Sequence, residues 1–325
     1  MAHATSPSER WGDSRGREAS APREIPARGW RDILWRVKER ISADNLSIIS
    51  SGVAFYALLS IFPALIALVG VYGLVFDPRQ VQEHLGTLTA VLPGEAANLI
   101  GQQLSEVASM ERTSLGVGSI VALLLALWTA SAGMRTLMNA LNVAYHEKET
   151  RGTVKLYATS LLLTLGAVLG AIAAIITVVA IPAILGFLNL GEGLANLLAY
   201  GRWPALAFLV LLGLAIVYRY GPDREKPQWR WVSWGAVTAT VLWIIASVLF
   251  SVYVSQFGNY NKTYGSLGDV IILMTWFLLT AYIFLIGAEL NAETERQTRK
   301  DTTDARGRPL GRRGAHAADT VGRTP

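Results

Sequence analysis

The stretch LGDVIILMTWFLLTAYIFLIGAEL, residues 267–290, decides the fold. It exceeds the ~20 apolar residues a helix needs to cross a bilayer core, and its two acids, Asp269 and Glu289, stand near its ends. Five further runs of this kind precede it, at 48–76, 114–138, 155–188, 203–221 and 231–257. The expected fold is therefore all-α, a polytopic membrane helical bundle with six transmembrane helices spanning residues 47–295. The run 48–76 would extend about 43 Å as a helix against a hydrocarbon core of about 30 Å, so it must tilt, protrude or bend, and Pro63 offers a kink. The run 155–188 is longer still and carries Pro182, which predicts a crossing before the proline and an irregular exit after it.

Composition agrees. The 325 residues are 52% hydrophobic and 16% charged, with mean hydropathy +0.35, too apolar for an ordinary soluble domain. Residues 1–47 and 293–325 hold 29 of the 53 charges. The middle suits lipid and the ends suit water. The absence of cysteine rules out disulfides and thiolate metal sites. The first 28 residues lack the apolar core of about 7 to 15 residues that a signal peptide needs, so this end is expected to stay in the mature protein.

Basic residues set the direction, because cytoplasmic flanks are enriched in Lys and Arg. With the amino terminus inside, internal segments hold 24 of the 29 basic residues; Arg79, Arg112, Arg202 and Lys262 fall outside, and Arg135 lies within a span. Both termini are expected in the cytoplasm of a multi-pass inner-membrane protein. A formal charge of +5 concentrated at the ends reads as topology, and nucleic acid is not an expected partner. The bilayer is the expected partner, with anionic lipid a candidate at the basic tails.

Ahead of the first span, GWRDILWRVKERIS places Trp30, Ile33, Leu34, Val37 and Ile41 at helical spacing among basic residues. Residues 29–46 thus read as an amphipathic interfacial helix, the alternative being a helix packed on the protein's own cytoplasmic loops. The external segment 77–113 carries two short amphipathic patterns around Pro93-Gly94. Residues 1–28 and 296–325 read as disordered basic tails.

Several in-membrane residues are candidates for function or packing. Ser131, Arg135, Asn139 and Asn142 fall at offsets of four, four and three, a polar stripe on a helix that could line a cavity. Arg135 and Glu289 lie at similar depths near the inner boundary, so Arg135 either pairs with Glu289 or snorkels alone to headgroups. Gly166, Gly170 and Ala174 form a small-residue column suited to close helix packing, within the chain or in a dimer. Ser266 and Asp269 have the spacing of a helix-capping box.

Four blocks, in order, resemble the YihY/BrkB family, whose members often carry the legacy label ribonuclease BN. They are SGVAFYALLSIFPALIAL in the first span, WTASAGMRTLMNALNVAYHEKETRG leaving the second, YRYGPDREKPQWRWVSWGAV entering the fifth, and YNKTYGSLGDVIILMTWFLLTAYIFLIGAELNAE closing the core. The resemblance covers about residues 30–295. It implies a six-helix protein of the bacterial cytoplasmic membrane, with roles in transport or envelope integrity and no settled substrate.

Three function classes follow. A nuclease needs clustered metal ligands or a positioned acid/base pair. The four histidines, His3, His84, His146 and His316, are scattered and form no ligand motif, so neither catalysis, a metal nor a cofactor is expected. Transport or translocation of a small solute or lipid fits the polar stripe, the prolines and Glu289. A non-transporting scaffold for envelope integrity is the alternative. Substrate, energy coupling and oligomeric state leave no mark in the sequence.

Overall fold

The computed structural model describes residues 15–75, 117–177, 192–257, 266–305 and 307–325. Seven helices carry the fold: α1 (Ala27–Ala43), α2 (Leu46–Val75), α3 (Val117–Ala144), α4 (Thr153–Ile175), α5 (Glu192–Tyr220), α6 (Trp229–Phe257) and α7 (Ser266–Glu295). A last turn, α8, spans His316–Asp319. The described part of each of the six expected runs is helical almost throughout. By length and composition, four segments can cross a membrane: Thr153–Ile175, Tyr200–Tyr220, Trp229–Ser255 and Val270–Glu295. A fifth is possible if α1 and the first half of α2, bent by 65° where they meet, count as one broken span. Large apolar side chains such as Leu162, Phe208, Ile245 and Leu249 are exposed along these shafts, as a lipid-facing surface requires.

Local chemistry explains the breaks. Asn45 takes φ +50, a left-handed conformation that asparagine tolerates, and its carbonyl accepts the amides of Ile48 and Ile49 to start α2. Pro63 sits inside α2 and Pro204 inside α5. At the end of α3, His146 is left-handed at φ +58, while Tyr145 and Glu147 donate their amides back to the carbonyls of Leu141 and Asn142. The segment 77–113 and Pro182 lie outside the described residues.

The chain divides into two compact units. One comprises residues 56–134 and 160–213. There α2 and α3 touch where the Gly133 amide donates to the Ser60 hydroxyl at 3.1 Å, and a Cβ on Gly133 would stand 2.8 Å from that oxygen. The other comprises residues 1–55, 135–159 and 214–325. Its closest helix contact joins α6 and α7 at Gly235 and Gly287, where a Cβ on Gly235 would lie 2.1 Å from the Gly287 carbonyl. Only glycine fits.

In the described parts of the terminal segments, 15–28, 296–305 and 307–325, hydrogen bonds link the two ends. Arg17 donates to the carbonyls of Arg296, Gln297 and Gly322, and Thr298 returns bonds to the carbonyls of Arg17 and Ala19. Farther on, Gln228 holds Thr302 and Thr303, and the His316 amide donates to Glu147. Low apolar content suggested an unfolded chain, but arginines and backbone carbonyls at both ends satisfy one another instead. The helix α1 is present as expected, and its apolar face is covered by protein: Ile33 and Val37 pack with Ala19, Ile25, Trp231 and Leu290. Leu34 and Trp35 remain exposed.

Candidate functional site

The last two turns of α7 read ELNAETE, residues 289–295, and are almost entirely buried. Three acids on one buried segment of helix need compensation, and two of them receive it. Glu295 takes a bidentate bond from Arg224 at 2.7 and 3.1 Å and a third bond from the Thr302 hydroxyl, with both charged side chains fully buried. Glu293 accepts Arg36 at 2.5 Å and Arg296 at 2.5 Å, with Arg40 3.8 Å away. Such forked, charge-assisted contacts are the strong ones.

Glu289 receives nothing comparable. It is fully buried, and among the described residues neither carboxylate oxygen meets a hydrogen-bond partner. The charged groups acting on it are Asp44, whose carboxyl can share a proton with that of Glu289, then Glu293 and Arg40. Asp44, which ends α1, also has an oxygen, Oδ2, that is buried and unbonded; His146 Nε2 stands 3.8 Å from it. Two residues on from Glu289, about 200° around the helix, Asn291 Oδ1 accepts the Gly235 amide at 2.7 Å, and its side chain also acts on the buried Tyr145 hydroxyl. Burial raises the Tyr145 phenol well above its ordinary range, against the opposing pull of Arg224. His316, stacked on His146 at 5.3 Å, is lowered by burial and by Arg296.

The residues singled out in the sequence fall in different surroundings. Arg135 is not joined to Glu289: its guanidinium lies 4.3 Å from the Tyr157 ring centroid, a cation–π contact. The stripe is also broken. Eight residues at about 100° each leave Asn139 about 80° around from Ser131, whereas eleven bring Asn142 back within about 20°. Accordingly Ser131 and Asn142 are buried and Asn139 is exposed. The Ser131 hydroxyl bonds the Trp128 carbonyl, and Asn142 ties Glu149 to the Asp223 amide as a structural lock. Among the described residues an added Cβ at Gly166 or Gly170 would meet nothing within the chain, and Leu163, Thr164 and Val168 supply the buried face of α4, with Ala174 half-buried. Helix α7 begins at Ser266, and the side chains of Ser266 and Asp269 lie outside the described residues.

Sequence reasoning missed Arg36, Arg224, Glu293 and Glu295. The spacing of Glu293 four residues beyond Glu289 was a visible signal of one acidic face. Their partners lie 257 and 71 residues away, beyond any local pattern.

This arrangement of apolar shafts under a charged cap has relatives. Residues 37–310 match the family described as virulence factor BrkB. The chain belongs to the BrkB family. This BrkB chain is 33% identical over 247 residues to the ribonuclease-like protein YfkH of Bacillus subtilis, covering 75% of this chain and 88% of that protein. It is 26% identical to a UPF0761 membrane protein of Idiomarina loihiensis, covering 79% and 88%, and 25% identical to one of Pseudoalteromonas translucida, covering 80% and 85%. No solved structure matches. Family and apolar helices together make it a multi-pass membrane protein. Among the described residues no group of three or more His, Asp or Glu could hold a metal ion.

Proposed function

We propose that this BrkB protein moves a small solute or lipid across the bacterial inner membrane, and that Glu289 is the working carboxyl of its pathway. The observation that carries this reading is the buried carboxyl of Glu289, which among the described residues is bonded by no basic side chain and faces a second carboxyl, Asp44, on a helix whose next two acids are fully paired. An acid kept only for architecture would be bonded, because an unsatisfied buried carboxyl is costly. Intramembrane acids left open in this way serve ions, protons or substrates. The protein does this without hydrolytic chemistry, and the ribonuclease-like name of its relative is not carried over.

The transport reading uses six spans with both termini in the cytoplasm. It is supported by the gathering of all four basic segments, before α2, between α3 and α4, between α5 and α6, and after α7, into one compact unit. A periplasm-active reporter fused after residue 95 or 262 should score positive, and one fused after residue 148, 226 or 300 should not; inversion at two of the five sites overturns the topology.

For the function, proteoliposomes are loaded with a panel of labelled phospholipids and small osmolytes. Wild-type protein should speed the exchange of at least one, and Glu289→Gln should lower that rate about tenfold or more at equal protein content. Wild-type vesicles no faster than empty ones across the panel would leave the scaffold role instead.

A further inference from the structure

The charged cap also carries a cleft of about 210 Å³ lined by Arg36, Glu39, Arg40, Arg296 and Arg323, with Ala43 and Val321. Four guanidiniums surround it, and the carboxylates beside them are Glu39 and Glu293. Glu293 alone serves three of the four arginines, Arg36, Arg40 and Arg296. Two positive charges are left in excess.

The four arginines divide by what they are already doing. Arg36 is buried and fully committed, to Glu293, Gln297 and the carbonyls of Glu293 and Arg323, so it forms a rigid floor. Arg296 is held by Glu293 and Thr320. Arg40 is 30% exposed, and among the described residues its only ionic contact is the loose one to Glu293 at 3.8 Å. Arg323 is 66% exposed, bonded to Glu39 and lying over the Trp35 ring at 5.2 Å. Arg40 and Arg323 thus offer unspent donors over a positive floor, and planar guanidiniums suit the paired oxygens of phosphate. Trp35, over which Arg323 lies, and Leu34 next to it in sequence are exposed on α1.

From this geometry we infer that the arginine cleft between α1, the end of α7 and the carboxyl-terminal segment is a phosphate-binding site, filled by the phosphate of an anionic phospholipid or by free inorganic phosphate. Its occupancy does not depend on transport. Bound phosphate bridges Arg40 and Arg323 and so ties the carboxyl-terminal segment to α1.

The test uses the full chain purified in a neutral detergent, titrated calorimetrically with short-chain phosphatidylglycerol, with phosphatidylcholine of the same chain length, and with inorganic phosphate. Phosphatidylglycerol should bind more tightly than phosphatidylcholine, and Arg40→Gln with Arg323→Gln should weaken it about tenfold or more. The exposed pair Arg299→Gln with Arg312→Gln removes the same charge outside the cleft and should leave binding within about twofold, since unspecific attraction is screened. Phosphate binding as tightly as the lipid, with the same sensitivity to the cleft variants, assigns the site to the free ion. Equal binding of the two lipids with no phosphate binding, or equal loss in both pairs of variants, overturns the site.

Discussion

Glu289 and Glu295 are fully buried acids on the same helix, less than two turns apart, yet one is left bare and the other is held by three hydrogen bonds. The difference lies in what faces them. Glu295 points at the loop between α5 and α6, which supplies Arg224, and at Thr302 in the segment after α7. Glu289 faces the end of α1, where the group on offer is another carboxyl, Asp44, with an unbonded oxygen of its own. A helix can therefore hold one residue type in two states: paired acids clamp the charged cap, and the proposed function rests on the open one. The cap tolerates the open acid because its neighbours are so well satisfied.

The sharpest way to break this comparison is to strip Glu295 of its partner. Arg224→Met leaves a fully buried carboxylate uncompensated, and breaking such a pair costs about 3 to 5 kcal/mol. The yield of monodisperse protein in detergent should collapse, and Arg224→Met with Glu295→Met should recover much of it. A single variant as stable as the wild type would show that the pairing does not hold the cap.

A smaller effect lies at the rim of the same cap. Arg151 donates to Glu149 at 2.6 and 2.7 Å, and these bonds, against some desolvation, hold the Glu149 carboxyl below its ordinary value of 4.5. Because the folded value is lower than the unfolded one, the stabilisation is present above about pH 4.5 and is lost as pH falls through the depressed value. Glu149 is partly exposed, so the contribution is about 1 kcal/mol or less. Wild type and Glu149→Gln should differ in unfolding midpoint at pH 7 and converge toward pH 3; a constant gap would assign the effect to packing instead.

Much of this fold was legible in the sequence, because apolar runs of bilayer length admit few structures besides helices, and the described part of each of the six is helical. The site was legible only in part. Glu289 stood out as an acid at the end of an apolar run, but its isolation did not, since pairing with Arg135 was equally compatible with depth along the helices. The structure sets the Arg135 guanidinium over the Tyr157 ring, a contact that leaves no trace in charge counting. The tails misled for a related reason. Composition registers missing apolar burial, whereas Arg17 and Arg313 order their segments through bonds to backbone carbonyls, which no composition records. Small residues show the same limit: among the described residues Gly166 and Gly170 meet no neighbour within the chain, while a close approach within it is made by Gly235 and Gly287 on different helices.

The division of labour along α7 is tested most directly by unfolding Glu289→Gln and Glu295→Gln side by side in the same detergent at pH 7. The account predicts that Glu289→Gln melts at or above the wild-type midpoint, since it removes an unbonded buried carboxyl, while Glu295→Gln melts well below it. A Glu289→Gln midpoint lowered as far as that of Glu295→Gln would contradict the claim, because it would make Glu289 one more structural acid of the cap.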